Sequence, residues 1–283
     1  MSTSYILAPQ RLTGTPDRLR RVLVTGAHGR IGASFASAVR DRYRLRLLVH
    51  REEHLTDAER NGEGFVGDLC EPAPVQSAFE DIDTVIHLAA DPSAQAGWES
   101  VHRNNIVATY NTFRAAVEAG CRRVIFASSI HAVSGYPADY QVHAGDPVNP
   151  GGLYGASKCF GEALARLVAV QEGLSAIVIR IGSFQPREKA MHAERIGMMN
   201  AFVSHRDLNQ LIRLSIDDER ILFAVFHGLS GNRFNRMDIG TARELVGYEP
   251  EDDFTELNRK LSDLNLHAQV TPHDVRHGKG AGV

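Results

Sequence analysis

Short apolar runs alternate with longer segments of helical spacing over the first two thirds of the chain. The apolar runs predict strands at Arg21–Thr25, Leu45–Val49, Thr84–Leu88, Arg123–Ala127 and Ala176–Ile181. Apolar residues spaced as on one helix face predict helices at Ile31–Val39, Asn105–Ala119 and Leu153–Glu172. Strands that are apolar throughout and alternate with helices are typical of a parallel sheet covered on both faces. We therefore predict an α/β fold built on a doubly wound parallel sheet.

The alternation becomes less regular after Ile181. The segment Phe184–Asn200 is rich in methionine, glycine and charged residues, and helices are predicted from Asp207 and over Ile239–Val246. We expect this part to form a small C-terminal region that holds a substrate. The last stretch, 264–283, is polar and rich in histidine, which predicts a flexible tail.

Composition excludes several classes of protein. With 283 residues, 43% hydrophobic and 23% charged, the chain is typical of a soluble globular protein with a sizeable core. The formal charge of −3 and the scattered basic residues argue against a nucleic-acid partner. The chain lacks a membrane span and an apolar signal segment, so we expect a cytoplasmic protein with no membrane partner. The cysteines Cys70, Cys121 and Cys159 have no CxxC spacing and the histidines no ligand spacing, so no metal is predicted.

A glycine-rich turn follows the first predicted strand. Its sequence is GAHGRIG at 26–32, a GxxGxxG pattern with a strand before it and a helix after it. Glycines at these places let the backbone turn tightly and approach a pyrophosphate, whose charge the helix N-terminus stabilises. This context favours a dinucleotide-binding loop over an ordinary turn.

The second predicted strand is followed by basic residues where a site specific for NAD usually offers a carboxylate to the ribose. His50 and Arg51 stand there, and with Arg30 they could bind the 2′-phosphate of NADP, because a guanidinium suits a phosphate dianion. Arg51 is equally well explained as a solvated residue of a charged loop. The sequence therefore leaves the choice between NAD and NADP open.

Tyr154 and Lys158 are four residues apart on a predicted helix, which places both on one face. A phenol with a pKa near 10 is a poor base at neutral pH, and adjacent positive charge lowers that pKa. Ser128 and Ser129 follow the strand Arg123–Ala127, at the end where parallel sheets bind ligands. A serine hydroxyl there can hydrogen-bond the oxygen atom on which the phenol acts, which favours a catalytic role for Ser129.

These residues identify the chain as a member of the extended short-chain dehydrogenase/reductase family, over roughly Arg21 to Pro250. The likeness rests on motifs in the expected order, namely GAHGRIG, Gly67-Asp68-Leu69, His87-Leu88-Ala89-Ala90, Asn105, Phe126-Ala-Ser-Ser129 and Tyr154-Gly-Ala-Ser-Lys158. The resemblance implies a Rossmann fold with a dinucleotide-binding domain at 21–182. An N-terminal extension at 1–20 precedes this domain, and the small substrate-binding region at 183–263 follows it.

The resemblance also implies roles for individual residues. Ser129, Tyr154 and Lys158 would form the catalytic group. The residues expected to bind the cofactor, NAD or NADP, are Gly26, His28, Gly29, Arg30, Ile31, Gly32, His50, Arg51, Asp68, Leu69, Leu88, Ala89, Ala90, Asn105, Tyr154 and Lys158. The expected partners are a small sugar substrate and further copies of the chain, as a dimer or larger homo-oligomer.

Within the family, the chain is similar to bacterial uronate dehydrogenases, which oxidise the anomeric hydroxyl of an aldohexuronate. The likeness is carried by the FASSxH motif, the run from Gly152 to Glu162, Arg180-Ile-Gly-Ser183 and Ser204-His205-Arg-Asp207. By this likeness Ser93, Ser129, His131 and Ser183 would line the sugar site. An arginine of the following loop, Arg187 or Arg195, would bind the carboxylate, and Arg195 is our choice. Ile130 departs from the asparagine that those enzymes carry.

The expected activity is oxidation of a hydroxyl group of a sugar, a uronate or related aldose, with hydride transfer to nicotinamide. Tyr154 would remove the hydroxyl proton while Ser129 holds the oxygen. Two alternatives stay open: a nucleotide-sugar epimerase or dehydratase, which shares the tyrosine and lysine, and a non-catalytic NAD(P)-binding redox sensor.

Overall fold

The computed structural model describes residues 4–12, 19–71, 75–192, 194 and 196–264. Within these residues it contains ten strands: β1 (Tyr5–Leu7), β2 (Arg21–Thr25), β3 (Arg44–Val49), β4 (Glu63–Val66), β5 (Thr84–His87), β6 (Arg123–Ser129), β7 (Ser175–Ile181), β8 (Ser183–Phe184), β9 (Phe202–Val203) and β10 (Ile221–Gly228). The α-helices are α1 (Arg30–Val39), α2 (Leu55–Glu59), α3 (Trp98–Val101), α4 (Ala108–Glu118), α5 (Leu153–Glu172), α6 (Arg187–Met191), α7 (His205–Asp217), α8 (Gly240–Val246), α9 (Phe254–Leu257) and α10 (Arg259–Ser262). None of these helices has both the length and the apolar content needed to cross a bilayer.

Eight strands form one sheet in the order β1-β10-β7-β6-β5-β2-β3-β4. All neighbours are parallel except β1, which pairs with β10 in the antiparallel direction. From β2 the chain first moves outward through β3 and β4, then returns to β5 on the other side of β2 and continues through β6 and β7. The order therefore reverses between β2 and β5, and doubly wound sheets bind ligands at such a reversal.

The core has one layer on each face of the sheet, because successive strand residues point to opposite faces. On one face Val22 and Val24 belong to the same buried cluster as Phe35 of α1, and α7 and α8 complete that layer. On the other face Leu23 packs in a cluster with Phe113 of α4 and residues of α5. The continuous apolar strands follow from this double coverage.

The C-terminal end of α7 is held by a buried cation. The guanidinium of Arg123, the first residue of β6, is fully buried and donates to the carbonyl oxygens of Ser215, Asp218 and Ile221. Its Nε donates to the hydroxyl of Ser175 at 2.8 Å. A cation at a helix C-terminus satisfies carbonyl groups that the helix leaves without partners. Burial lowers the pKa of Arg123 to about 9.

The predicted fold class is confirmed, and the predicted elements agree with the observed ones to within a few residues. Several features were not predicted, among them the edge strand β4 and the small sheet of β8 and β9. β10 continues the main sheet beyond residue 182, β1 places part of the N-terminal extension on the sheet edge, and a π-helical turn at His102–Val107 separates α3 from α4. The tail predicted at 264–283 lies, apart from Leu264, outside the described residues.

Candidate active site

A cleft of about 510 Å³ lies at the carboxyl ends of the strands, where the strand order reverses. It is lined by the glycine loop and by the ends of β3, β5, β6 and β7, together with the start of α5. The predicted site residues that line it are Gly26, His28, Gly29, Arg30, Ile31, Gly32, His50, Leu88, Ala89, Ala90, Ser129, His131, Tyr154, Lys158 and Ser183.

The glycine loop packs so tightly that two of its positions have no room for a side chain. Gly26 has a φ of +66°, and a Cβ there would lie 2.8 Å from the backbone nitrogen of Ala89. A Cβ on Gly32 would lie 2.6 Å from the carbonyl oxygen of Gly26. Helix α1 starts directly after Gly29, and no side chain caps its N-terminus. The first N–H groups of α1 are therefore suited to bind an anion.

Tyr154 and Lys158 lie on the first turns of α5, beside the end of β6. The Nζ atom of Lys158 is 5.7 Å from the centroid of the Tyr154 ring and 5.2 Å from that of Phe126. Burial raises the pKa of the Tyr154 phenol, and the neighbouring hydroxyl of Ser129 lowers it. Gly155 lets this end of α5 approach the turn after β6, since a Cβ there would lie 2.3 Å from the carbonyl oxygen of His131.

The ammonium group of Lys158 has no acceptor among the residues that the structure describes. The side chain is buried, with 4% of its surface exposed, and burial lowers its pKa to about 8. A buried ammonium group without a hydrogen-bond partner is unfavourable unless a ligand supplies one. Its position on the cleft wall fits a ligand rich in hydroxyl groups, such as the ribose of a dinucleotide.

A buried network supports the loop at Leu88–Ala90. The hydroxyl of Thr25 accepts hydrogen bonds from the backbone nitrogens of Leu88 and Ala89, so it donates its own proton to Nδ1 of His87, 2.8 Å away. Nε2 of His87 then carries the ring proton and donates to Thr109 at 3.1 Å. Burial lowers the pKa of His87 to about 3, so the ring is neutral.

Asn105 lies in the π-helical turn, behind the cleft wall. Its amide is buried and exchanges hydrogen bonds with the backbone of Asp91, at 2.8 and 3.1 Å, and donates to the hydroxyl of Ser157 at 3.2 Å. Ser157 precedes Lys158 on α5. Asn105 thus ties the loop after β5 to the helix that carries Tyr154 and Lys158.

At the other end of the cleft His131 and Ser183 face the region after β7. The ring of His131 stands edge-on to that of Tyr154, with centroids 5.6 Å apart, and its backbone nitrogen donates to Ser129 Oγ at 3.2 Å. Phe184 and Gln185 line the cleft beside Ser183, and the Phe184 ring stacks on His205 at 4.2 Å.

Several predicted site residues lie outside the cleft lining. Arg51 forms an ion pair with Glu53 at 3.2 Å, and Asp68 pairs with Arg103 at 2.6 Å. Ser93 is exposed in the loop after β5, where its backbone nitrogen donates to Asp91. Leu69 is buried in the core and Asn105 lies behind the wall as described above. Arg195, the predicted carboxylate ligand, lies outside the described residues.

His54, Phe184 and Gln185 also line the cleft, although the sequence did not indicate them as site residues. His54 reaches it because its ring stacks on that of His28, with centroids 3.7 Å apart and planes 4° from parallel. The signal was the second histidine four residues after His50. Phe184 and Gln185 directly follow Ser183, so the motif that indicated Ser183 also pointed to them.

The cleft is lined by basic side chains and by no acidic ones among the described residues. Among the described residues that line it there is no aspartate and no glutamate, whereas Arg30, Lys158 and the histidines His28, His50, His54 and His131 are present. A cleft with this lining favours an anionic ligand. The glycine loop, the unpartnered ammonium group and this charge together fit a nicotinamide dinucleotide.

A sequence model of the NAD-dependent epimerase/dehydratase family matches residues 22–209. The uronate dehydrogenase of Pseudomonas putida is 30% identical over 272 residues, which cover 96% of this chain and 98% of that protein. The NAD-dependent glucose-6-phosphate dehydrogenase of Haloferax volcanii is 34% identical over 250 residues, covering 83% of this chain and 94% of that protein.

The crystal structure of uronate dehydrogenase from Agrobacterium tumefaciens is similar in fold, with a TM-score of 0.76 and 28% sequence identity. The match covers 91% of this chain and 92% of that one. The order of motifs along the sequence, the arrangement of the cleft and the family match over most of the main sheet agree with one another. The chain belongs to the NAD-dependent epimerase/dehydratase family of extended short-chain dehydrogenases/reductases.

Proposed function

We propose that this protein is an NAD(P)-dependent dehydrogenase that oxidises the anomeric hydroxyl of a sugar, with a uronate as its substrate. The proposal rests on one observation: Ser129, Tyr154 and Lys158 line the same cleft as the glycine loop. The relatives named above support oxidation rather than epimerisation, dehydration or redox sensing. A variant of the Agrobacterium enzyme has been solved in complex with NAD, at 27% identity and a TM-score of 0.76.

In the proposed reaction, the protein side chains bind the hydroxyl oxygen of the substrate and remove its proton. The hydroxyl of Ser129 hydrogen-bonds the substrate oxygen, and the phenolate of Tyr154 removes the proton from it. Lys158 stabilises the phenolate through its positive charge and binds ribose hydroxyls of the dinucleotide. NAD(P), when bound, supplies the acceptor for the hydride. The cleft walls hold the reactants together in one orientation, which contributes much of the rate enhancement.

The choice of a uronate rests on charge and on the relatives. The cleft presents cationic and imidazole groups and no carboxylate among its described lining residues, so it favours an anionic sugar over a neutral one. We propose that Arg195 binds the substrate carboxylate, since Arg187 is paired with the buried Asp252 at 3.1 Å. A sugar phosphate is the second candidate, because the glucose-6-phosphate dehydrogenase of Haloferax volcanii is 34% identical.

Absorbance at 340 nm distinguishes these substrates. The purified protein is incubated with NAD or NADP and with galacturonate, glucuronate, glucose 6-phosphate, arabinose or glucose. Reduction with the uronates supports the proposal. Faster reduction with glucose 6-phosphate selects the second candidate, and reduction with neutral sugars alone refutes an anionic substrate. Absence of reduction with any sugar refutes the dehydrogenase.

Replacement of the phenol tests the assigned mechanism. We expect Tyr154→Phe to lower kcat at least 100-fold, because general-base catalysis contributes about 10²–10⁴-fold. Binding of the dinucleotide, measured by calorimetry, should change little, since the variant keeps the ring and loses one oxygen. Tyr136→Phe, which removes a hydroxyl bound to the carbonyl of Pro147, is the matched control. Turnover retained in Tyr154→Phe would contradict the mechanism.

We also propose that the protein forms a homo-oligomer in the cytoplasm and binds no nucleic acid. Tyr110 of α4 and Leu167 and Val170 of α5 are large apolar side chains about half exposed, which favours pairing of these helices between two copies. The three cysteines are free, which agrees with a reducing compartment. Light scattering after gel filtration tests the oligomer: a mass near 31 kDa, that of one chain, would contradict it.

A further inference from the structure

Three histidines form one end of the cleft. His28 belongs to the glycine loop, His50 is the first residue after β3, and His54 ends the 3₁₀ turn Glu52–His54. The stacked rings of His28 and His54 join the two segments at a centroid distance of 3.7 Å. In doubly wound sheets the glycine loop and the end of the following strand flank the adenosine ribose of a dinucleotide. The imidazole groups therefore lie where the ribose 2′-substituent is recognised.

The charges at this end favour a phosphate over a hydroxyl. A ribose 2′-hydroxyl is usually recognised by a carboxylate, and neither Glu52 nor Glu53 lines the cleft. Glu53 accepts from Arg51 at 3.2 Å and lies 3.5 Å from Nε2 of His54. This carboxylate is therefore engaged by Arg51 and His54 and does not line the cleft.

Arg30, which follows Gly29 in the glycine loop, contributes a permanent positive charge to the same cleft. Its guanidinium lines the cleft and forms no hydrogen bond or ion pair with any residue in the described part of the chain. Imidazole and guanidinium N–H groups are donors that a phosphate dianion binds well, and charge-assisted bonds of this kind are about twice as strong as neutral ones. Arg51, bound by Glu53, is not needed for such a site.

We propose that His28, His50 and His54, together with Arg30, form a binding site for the 2′-phosphate of NADP, so that this protein prefers NADP to NAD. The site uses three imidazole groups from two segments in place of the carboxylate that selects NAD. The inference rests on the proposed function only in that a nicotinamide dinucleotide binds the cleft.

Binding of two adenosine nucleotides tests the site without any turnover. Adenosine 2′,5′-bisphosphate and adenosine 5′-monophosphate differ only by the 2′-phosphate, and calorimetry gives the affinity of each for the whole protein. We expect the bisphosphate to bind at least tenfold more tightly than the monophosphate, and NADP at least tenfold more tightly than NAD. Equal affinities within each pair would overturn the proposal.

Variants identify the residues responsible. His54→Gln and His28→Ser should each lower the affinity for the bisphosphate at least fivefold and change that for the monophosphate less than twofold. His50→Asp, which places a carboxylate after β3, should reverse the preference in favour of NAD. His143→Gln, at an exposed histidine that does not line the cleft, is the control. Circular dichroism and thermal unfolding verify that each variant is folded.

The outcomes separate this inference from the proposed activity. A tenfold preference for the bisphosphate that survives in both His54→Gln and His28→Ser contradicts the histidine site. A preference that these variants abolish supports it, even if none of the sugars is oxidised. If the variants abolish the preference and no sugar is oxidised, the proposed sugar oxidation is refuted and the 2′-phosphate site is supported.

Discussion

Among single residues, Lys158 is a charged side chain in a buried position. Its proposed role beside Tyr154 accounts for this unfavourable placement. Burial lowers its pKa from 10.5 to about 8, a difference that corresponds to about 3 kcal/mol at pH 7. The folded chain therefore binds this proton less tightly than the unfolded chain does. A residue that destabilises the fold in this way is typical of catalytic sites.

We predict that Lys158→Met abolishes turnover and stabilises the protein at pH 7. The free energy of unfolding in urea should increase by up to about 3 kcal/mol, because the variant removes the buried charge. As pH rises from 8 to 10.5, wild-type Lys158 loses its proton in the folded state first, so the difference should shrink. The control is Lys189→Met at an exposed position of α6. A variant less stable than wild type at pH 7 would contradict the expected cost of the charge.

Local sequence patterns predicted some site residues and could not predict others. Tyr154 and Lys158 are placed by helical spacing alone, and the structure brings them together with Ser129. His54 reaches the cleft through a ring stack with His28, 26 positions earlier, which no local pattern contains. Arg51 has the right residue type at a plausible position, but its side chain pairs with Glu53 instead of facing the cleft.

At the scale of elements, Arg123 links β6, β7, α7 and β10. We predict that Arg123→Met lowers the free energy of unfolding by roughly 3 kcal/mol or more, because it removes the four hydrogen bonds by which the guanidinium joins β6 to β7, α7 and β10. Arg40→Ala, whose guanidinium is exposed and 3.9 Å from Asp41, should change it by less than about 0.5 kcal/mol. Urea unfolding of both variants measures the difference. Equal stability of the two would mean that water replaces the guanidinium at the end of α7.

The elements that the sequence predicted are determined by local patterns, whereas those that it did not predict depend on contacts between distant parts of the chain. The parallel strands and α5 follow from the local alternation of apolar and polar residues. β10 has the same apolar signal, ILFAVFHG, but its place in the sheet is set by pairing with β7 more than 40 residues earlier. The π-helical turn at His102–Val107 has no distinctive composition, and the bonds of its Asn105 to Asp91 and Ser157 join residues 14 and 52 positions away in the chain.

At the scale of the whole molecule, two buried neutral histidines couple folding to pH. Burial lowers the pKa of His87 to about 3 and that of His227, on β10, to about 4. Below about pH 6.5 the unfolded chain binds protons at these two positions and the folded chain does not. Stability should therefore fall as pH decreases from 6.5 to 4.

We predict that His87→Gln reduces this dependence. Each buried histidine contributes a slope of up to about 1.4 kcal/mol per pH unit to the free energy of unfolding. Between pH 6 and 5, wild type should therefore lose about that much more stability than the variant. Urea unfolding at both pH values measures the slope, and the exposed His102→Gln is the matched control. The same slope in His87→Gln and wild type would show that His87 is protonated in the folded protein.

The strand order also has a consequence for how this enzyme can be altered. The end of β3, beside His50, and the end of β7, beside Ser183, are separated by β2, β5 and β6. Four steps between neighbouring strands correspond to about 19 Å. Substitutions so far apart usually have additive effects. Coenzyme choice and sugar choice can therefore evolve, or be engineered, as independent modules of one scaffold.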